Sequence, residues 1–199
     1  MSKINSIIEN FSTTNFIAFL RESIPSFKPD YDDLDHLFQE DIYDKYESIV
    51  KIGEAEIEKD ELIVIVSKTN EPLTERIGKK NQYGIAKTIL KQEVKDASLF
   101  IFYDEEGNFR FSFVKANYLG TKRDFTDFKR YTYFVTPSQT NKTFIKQVGG
   151  CNFNSLDEII QAFSVEPLNK QFYQDIAKFF YGLIGGKVKI GSRNVEFDT

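Results

Sequence analysis

The five residues Leu62-Ile-Val-Ile-Val66 constrain the fold more than any other stretch of the chain. They carry no polar interruption and the four residues after Leu62 alternate between Ile and Val, so the run reads as a strand that is apolar on both faces. Such a strand has to be covered on both faces, which calls for a central position in a sheet with helices on each side. The flanking sequence supplies those layers. Upstream, Ile49, Val50, Ile52 and Ile57 follow the period of a second strand, joined to the first at Lys59-Asp60. Downstream, Ile85, Ala86, Ile89 and Leu90 form the apolar stripe of a helix from about Lys79 to Glu93. Ser98 to Tyr103 is the next strand and Asp104-Glu-Glu-Gly-Asn108 a turn, because Gly107 and Asn108 tolerate positive φ. Phe109 to Val114 returns as a hairpin partner in which Phe109, Phe111 and Phe113 alternate with Arg110 and Ser112, and Arg130 to Val135 adds a strand.

The two ends of the chain are different in character. Phe16, Ile17, Phe19, Leu20 and Ile24 recur at helical spacing behind Thr13 and Thr14, and Pro25 closes that helix. Residues 28 to 47 are rich in Asp and Glu around Leu34, Leu37 and Phe38, and read as a charged helix or loop on the surface. After Pro137 the pattern is helical: Ser155-Leu-Asp-Glu158 is a capping box, and Asn169 can cap a longer helix bearing Phe172, Ile176, Phe179, Phe180 and Leu183. Residues 185 to 199 have no period and read as a linker or a cut end. The expected architecture is an α/β domain over residues 1–150, a mixed sheet flanked by helices, with a helical appendage over 151–199.

Composition removes several function classes. The single cysteine, Cys151, forms no internal disulfide, and no Cys/His cluster has zinc spacing, which fits a reduced, cytoplasmic setting. The amino terminus lacks the charged start and apolar stretch of a signal peptide, and no run is long enough to span a membrane. The lone histidine, His36, has no partner for a catalytic triad, and no phosphate loop, GxGxxG, HExxH or GxSxG is present. The formal charge of −4 conceals an asymmetry: residues 1–60 hold 6 Lys and Arg against 14 Asp and Glu, whereas residues 68–146 hold 15 against 9.

The basic part contains two candidate DNA-contacting groups. Lys79, Lys80, Lys87 and Lys91 crowd the helix that also carries Gln82, and Lys122, Arg123, Lys129 and Arg130 interleave with Phe125, Phe128, Tyr131 and Tyr133. Basic side chains reach phosphates and aromatic rings pack on nucleotides. A solvated helix face and a lysine-protected edge strand account for the same residues. Lys68 ends the central strand beside a strand bearing Glu54 and Glu56, the residue types with which metal-dependent nucleases hold Mg²⁺ and position the attacked phosphate.

The segments Leu73-Thr-Glu-Arg-Ile-Gly-Lys-Lys-Asn-Gln-Tyr-Gly-Ile-Ala-Lys87, Ala97 to Ser112, Gly120 to Phe125, Lys129 to Val135 and Asn141 to Phe144, in that order, resemble the N-terminal region of type IIG restriction-modification enzymes. The resemblance covers roughly residues 15 to 183. It implies a PD-(D/E)xK nuclease-like fold, restriction-endonuclease-like, at the start of a bacterial defence polypeptide that acts on double-stranded DNA. Its remainder would be an adenine-N6 methyltransferase using S-adenosylmethionine, reached through a helical connector that Phe163 to Tyr173 resembles. No NPP-aromatic or FxGxG motif is present, so the chain reads as a fragment without the methyltransferase. Gln82 resembles a helix glutamine seen in many nucleases of this fold.

The nuclease motif maps onto Val66-Ser67-Lys68, which keeps the lysine but has valine where a metal-binding carboxylate belongs. If Lys59-Asp60 is a two-residue loop, Lys68 lies opposite Lys51, Val66 opposite Gly53 and Val64 opposite Ala55, and Glu54, Glu56 and Glu58 point away from Lys68. A three-residue loop brings Glu54 and Glu56 to the Lys68 side but buries them against Val64 and Val66. The expectation is a nuclease whose chemistry is lost, or one that draws its acids from loops, such as Glu71 or Glu75, to hold Mg²⁺. A non-catalytic module docking DNA or its own polypeptide, and an unrelated small soluble α/β binding protein, are the competing readings.

Overall fold

A computed structural model describes residues 3–119, 122–127, 131–164, 176–179, 186–190 and 193–197. The chain divides into two compact units after Val165. The first begins with helices α1 (Lys3–Glu9) and α2 (Thr13–Ser23), followed by strands β1 (Lys28–Asp33), β2 (Tyr46–Ile57) and β3 (Asp60–Thr69), with two short 3-10 turns between β1 and β2. Helix α3 (Lys79–Gln92) leads into β4 (Ala97–Tyr103), β5 (Phe109–Leu119), β6 (Lys122–Phe125) and β7 (Thr132–Val135), and helices α4 (Lys142–Gln147) and α5 (Leu156–Phe163) complete the unit. The fold is α/β, with a mixed seven-stranded sheet flanked by helices.

The sheet runs β1-β2-β3-β4-β5-β6, with β7 also paired to β5. Among the described residues only β3 and β4 pair in parallel. A parallel pair needs a crossover, and α3 provides it. β3 is buried on both sides, as its composition requires. Leu62, Val64 and Val66 face a core built with α1, α2, α4 and α5, including Phe16, Phe111, Phe144 and Phe163. Ile63 and Ile65 face a second core with Leu34, Ile85, Ile89, Phe100 and Phe102.

Several local expectations hold. The stripe on α3 is buried at Ile85, Ala86, Ile89 and Leu90. Ser155 caps α5 by accepting the Glu158 N–H at 3.2 Å, and the Glu158 carboxylate accepts the N–H of Asn154, one residue before the cap. Other expectations are corrected. The acidic stretch starts with an edge strand, β1, whose Lys-Pro-Asp-Tyr-Asp-Asp sequence has little strand propensity and is held extended by pairing with β2. Residues 3–9, to which no element was assigned from the sequence, form a helix that buries Ile4, Ile7 and Ile8 on one face. Arg110 and Ser112, which alternate with the three phenylalanines, are both fully buried, since β5 is covered on both faces.

The β2–β3 register also differs from the expected one. The loop is Glu58-Lys59, with Glu58 at φ 58°, so Ile57 pairs with Asp60 and Ala55 with Leu62. Extra residues at Ile52 and Glu47 then shift the pairing, and Val66 lies opposite Val50 and Lys68 opposite Ser48, not Gly53 and Lys51. Each bulge adds one residue to β2 and reverses which of its side chains share a face with those of β3.

Helix α5, expected in the appendage, belongs to the first unit. Phe163 meets Phe111 edge-on at 4.8 Å between ring centroids. In the second unit residues 176–179 are helical, while the rest of the helix expected from Asn169 lies outside the described residues. The stretch expected to be a linker contains a hairpin, β8 (Gly186–Ile190) with β9 (Arg193–Phe197), in which Val188 pairs with Val195. Its short period of two was hidden by the neighbouring glycines.

Candidate functional site

In open α/β sheets ligands are bound beyond the carboxyl ends of the parallel strands. Here that edge is formed by Lys68 and Thr69 of β3, Tyr103 at the end of β4 and Asp104 after it, the loop over residues 70–78, and the start of α3.

Lys68 continues the face of Leu62, Val64 and Val66. Its Nζ lies 2.9 Å from Glu47 and 3.1 Å from Glu105. The Glu47 and then the Glu105 carboxylate hold the ammonium up at about 12. Lys68 is therefore a fixed donor of positive charge at neutral pH and takes up no proton. Neither carboxylate was legible as its partner: Glu47 arrives through the β2 bulge and Glu105 through the β4–β5 turn.

The acids singled out in the sequence lie elsewhere. Glu54 and Glu56 pair with Ile63 and Glu61, on the face opposite Lys68. Glu54 lies in β2 opposite Ile63, which is five residues down β3 from Lys68 and so roughly 17 Å away along the strand, and there it binds Lys51 at 3.2 Å and Lys95 at 3.4 Å. Glu71 and Glu75 are exposed on the loop after β3, and only the Glu71 carbonyl is engaged, accepting the Thr69 hydroxyl at 2.8 Å. Val66, at the motif's carboxylate position, is buried in the core. This donor set does not fit Mg²⁺: the two acids at Lys68 are bound to its ammonium, and among the described residues no group of three His, Cys, Asp or Glu side chains comes together to hold a metal.

The other face of this edge holds a polar cluster. The Arg110 guanidinium, wholly buried, donates to Gln82 Oε1 and to the carbonyls of Thr74 and Ile77, the latter at 3.0 Å. Burial depresses its pKa to about 10, against a smaller upward pull from Tyr46. Gln82, expected to contact DNA, is buried and reaches no solvent. Asp104 is buried as well; its carboxylate accepts the N–H groups of Leu73 at 2.7 Å, Glu106 at 3.0 Å and Asn108 at 2.9 Å, and the Asn108 side-chain amide at 2.9 Å. Two buried charges, neither paired with the other, thus hold the backbone of the loop whose side chains Thr74, Glu75, Arg76 and Ile77 face solvent.

The remaining basic residues are dispersed along α3 and β6. Lys80 is exposed and Lys79 half-buried in the first turn of α3. Lys87 stacks on Tyr83 at 4.5 Å from the ring centroid. Arg123 donates to the Lys91 carbonyl at 2.9 Å, so it ties β6 to the end of α3. Lys122 lies in β6 opposite Leu119, and Lys129 and Arg130 lie outside the described residues. No protein-family profile, curated protein or solved structure matches the chain. Among the described residues no helix is long and apolar enough to cross a membrane.

Proposed function

We propose that the chain is a DNA-binding, endonuclease-like domain, the N-terminal part of a type IIG restriction-modification polypeptide whose remainder would be an adenine-N6 methyltransferase, and that its nuclease centre is degenerate. The observation that carries the reading is the carboxyl edge of the parallel pair β3 and β4: Lys68 stands at its rim, the basic amino end of α3 adjoins it, and buried Val66 replaces a metal-binding acid. Lys68, with its charge held by Glu47 and Glu105, serves as an electrostatic post and not as part of a metal centre.

The test is equilibrium binding of duplex DNA across a salt series together with a nicking assay in Mg²⁺ and in Mn²⁺. Affinity is expected to fall linearly with the logarithm of salt concentration, since phosphate contacts release counterions. No nicking is expected with either metal. A flat salt dependence removes the DNA reading, and metal-dependent nicking abolished by Lys68→Ala removes the degenerate centre.

A further inference from the structure

Arg110 is a wholly buried guanidinium for which no carboxylate partner occurs among the described residues; all its acceptors are a neutral amide and two carbonyls, and its Nε has no partner. Buried charges are ordinarily paired, because an isolated one loses its hydration without compensation. The position of this one compounds the cost. It lies under the first turn of the fourteen-residue helix α3, bonded to Gln82 and to the Ile77 carbonyl, at the end where the helix dipole is positive. Two positive features coincide, and an anion would relieve both.

The surface above them is open. A cleft of about 230 Å³ is lined by Tyr46, Thr69, Thr74, Gly78, Asn81 and Gln82. That is smaller than the roughly 300–1,000 Å³ of pockets for drug-sized molecules and suits a single small group. Gly78 is the N-cap of α3, left-handed at φ 84° and without a side-chain cap. A Cβ there would sit 3.4 Å from Gln82 Nε2 and 3.7 Å from Arg110 Nη1. Gln82 and Arg110 are themselves buried, but the three acceptors of Arg110, on Gln82, Thr74 and Ile77, all belong to residues that line the cleft, so the guanidinium lies directly beneath its floor. The charged groups on the rim, Lys45 and Glu71, are both exposed and offset each other.

We propose that the cleft at the amino end of α3 is an anion site that takes a phosphate group, with the first turn of α3 as the donor and Arg110 as the buried counter-charge. The site rests on the DNA reading only for the source of its phosphate, which is either a backbone phosphodiester of duplex DNA or a free phosphate.

The experiment follows thermal unfolding of the full chain in inorganic phosphate and in chloride at matched ionic strength. Phosphate a hundredfold above its dissociation constant is expected to raise the midpoint by roughly 5–10 °C over chloride. Gln82→Glu places a carboxylate against Arg110; it is expected to raise the midpoint in chloride and to remove the phosphate shift. Asn81→Asp, at an exposed position on the cleft wall, leaves the bonds of Arg110 intact and is expected to remove the shift by charge alone. Equal midpoints in phosphate and chloride for the unaltered chain overturn the proposal, and an equal phosphate shift in all three proteins means an adventitious ion only, which overturns it too. Duplex DNA distinguishes the sources: both variants lower affinity about tenfold and reduce the salt slope by about one if the phosphate is that of DNA. Loss of the phosphate shift with unchanged duplex affinity supports the site and assigns it to free phosphate. Unaltered chain that shows the phosphate shift but no salt-dependent duplex binding refutes the DNA reading alone.

Discussion

Asp104 and Arg110 show how single charged residues organise the candidate edge. Asp104 lies in a turn that Gly107 and Asn108 already announce, yet its role is larger than the turn, because one of its oxygens reaches back to the Leu73 N–H, 31 positions away in sequence. Replacing it by alanine leaves four donors without their acceptor in a buried setting. Asp104→Ala is expected to cost about 3 kcal/mol, read as a lower urea midpoint at unchanged slope. Tyr133 makes a simpler case. Its hydroxyl donates to the Ala162 carbonyl at 2.8 Å, and burial raises its pKa to about 12. A phenol raised in the folded state adds stability that is fully present below its ordinary value near 10 and is lost as pH climbs through 12. Tyr133→Phe is expected to cost about 1 kcal/mol at pH 7 and to flatten the decline in stability between pH 10 and 12, measured by denaturant titration at successive pH values.

Among the elements, α3 is where sequence and structure agree best and where one residue stands out. Gly84 lies in the middle of the helix, and a Cβ there would have nothing within 4 Å. Mid-helix glycine is destabilising by up to about 1 kcal/mol relative to alanine. Gly84→Ala is accordingly expected to raise stability by about that amount without altering the core, checked by thermal and urea unfolding together. Gly53 in β2 is the opposite case: a Cβ there would lie 2.7 Å from the Lys28 carbonyl and collide with the Phe27 ring, so Gly53→Ala is expected to loosen β1 from the sheet, seen as faster amide exchange over residues 28–33. The β2–β3 pair explains why the candidate acids do not assemble. Both strands were readable from their apolar period, and the two-residue loop sets Glu54 and Glu56 on the face away from Lys68; the bulges at Ile52 and Glu47 lie further along β2, where Glu47 meets Lys68.

Considered as a whole, the first unit encloses two cores separated by one sheet, and the polar edge is where neither core closes over the strand ends. Charge is distributed to match the proposed use: the acidic half of the sequence supplies β1 and the segment before β2, and the basic half supplies α3 and the strands beyond β4. The expected consequence is duplex binding that weakens steeply with added salt. If the phosphate contacts come from α3, Lys80→Ala reduces the slope of log affinity against log salt by about one, measured by fluorescence anisotropy on a labelled duplex.

Local order along the chain was enough to place β3 between two covered faces, to find the α3 stripe and the α5 cap, and to put Lys68 at a strand end, because these depend on periodicity and neighbours a few residues apart. Nothing local distinguishes Arg110 and Ser112, alternating with three phenylalanines, from the solvent side of an ordinary hairpin. Their burial follows from α3 lying across β5's second face. Likewise, Glu47 and Glu105 meet Lys68 because a bulge and a turn set register over distances that periodicity does not encode, whereas the two-residue loop alone already turned Glu54 and Glu56 away from it. The chain's own pattern therefore specified which segments are strands and helices, while packing decided which charges are buried, which of them meet, and where an anion would be welcome.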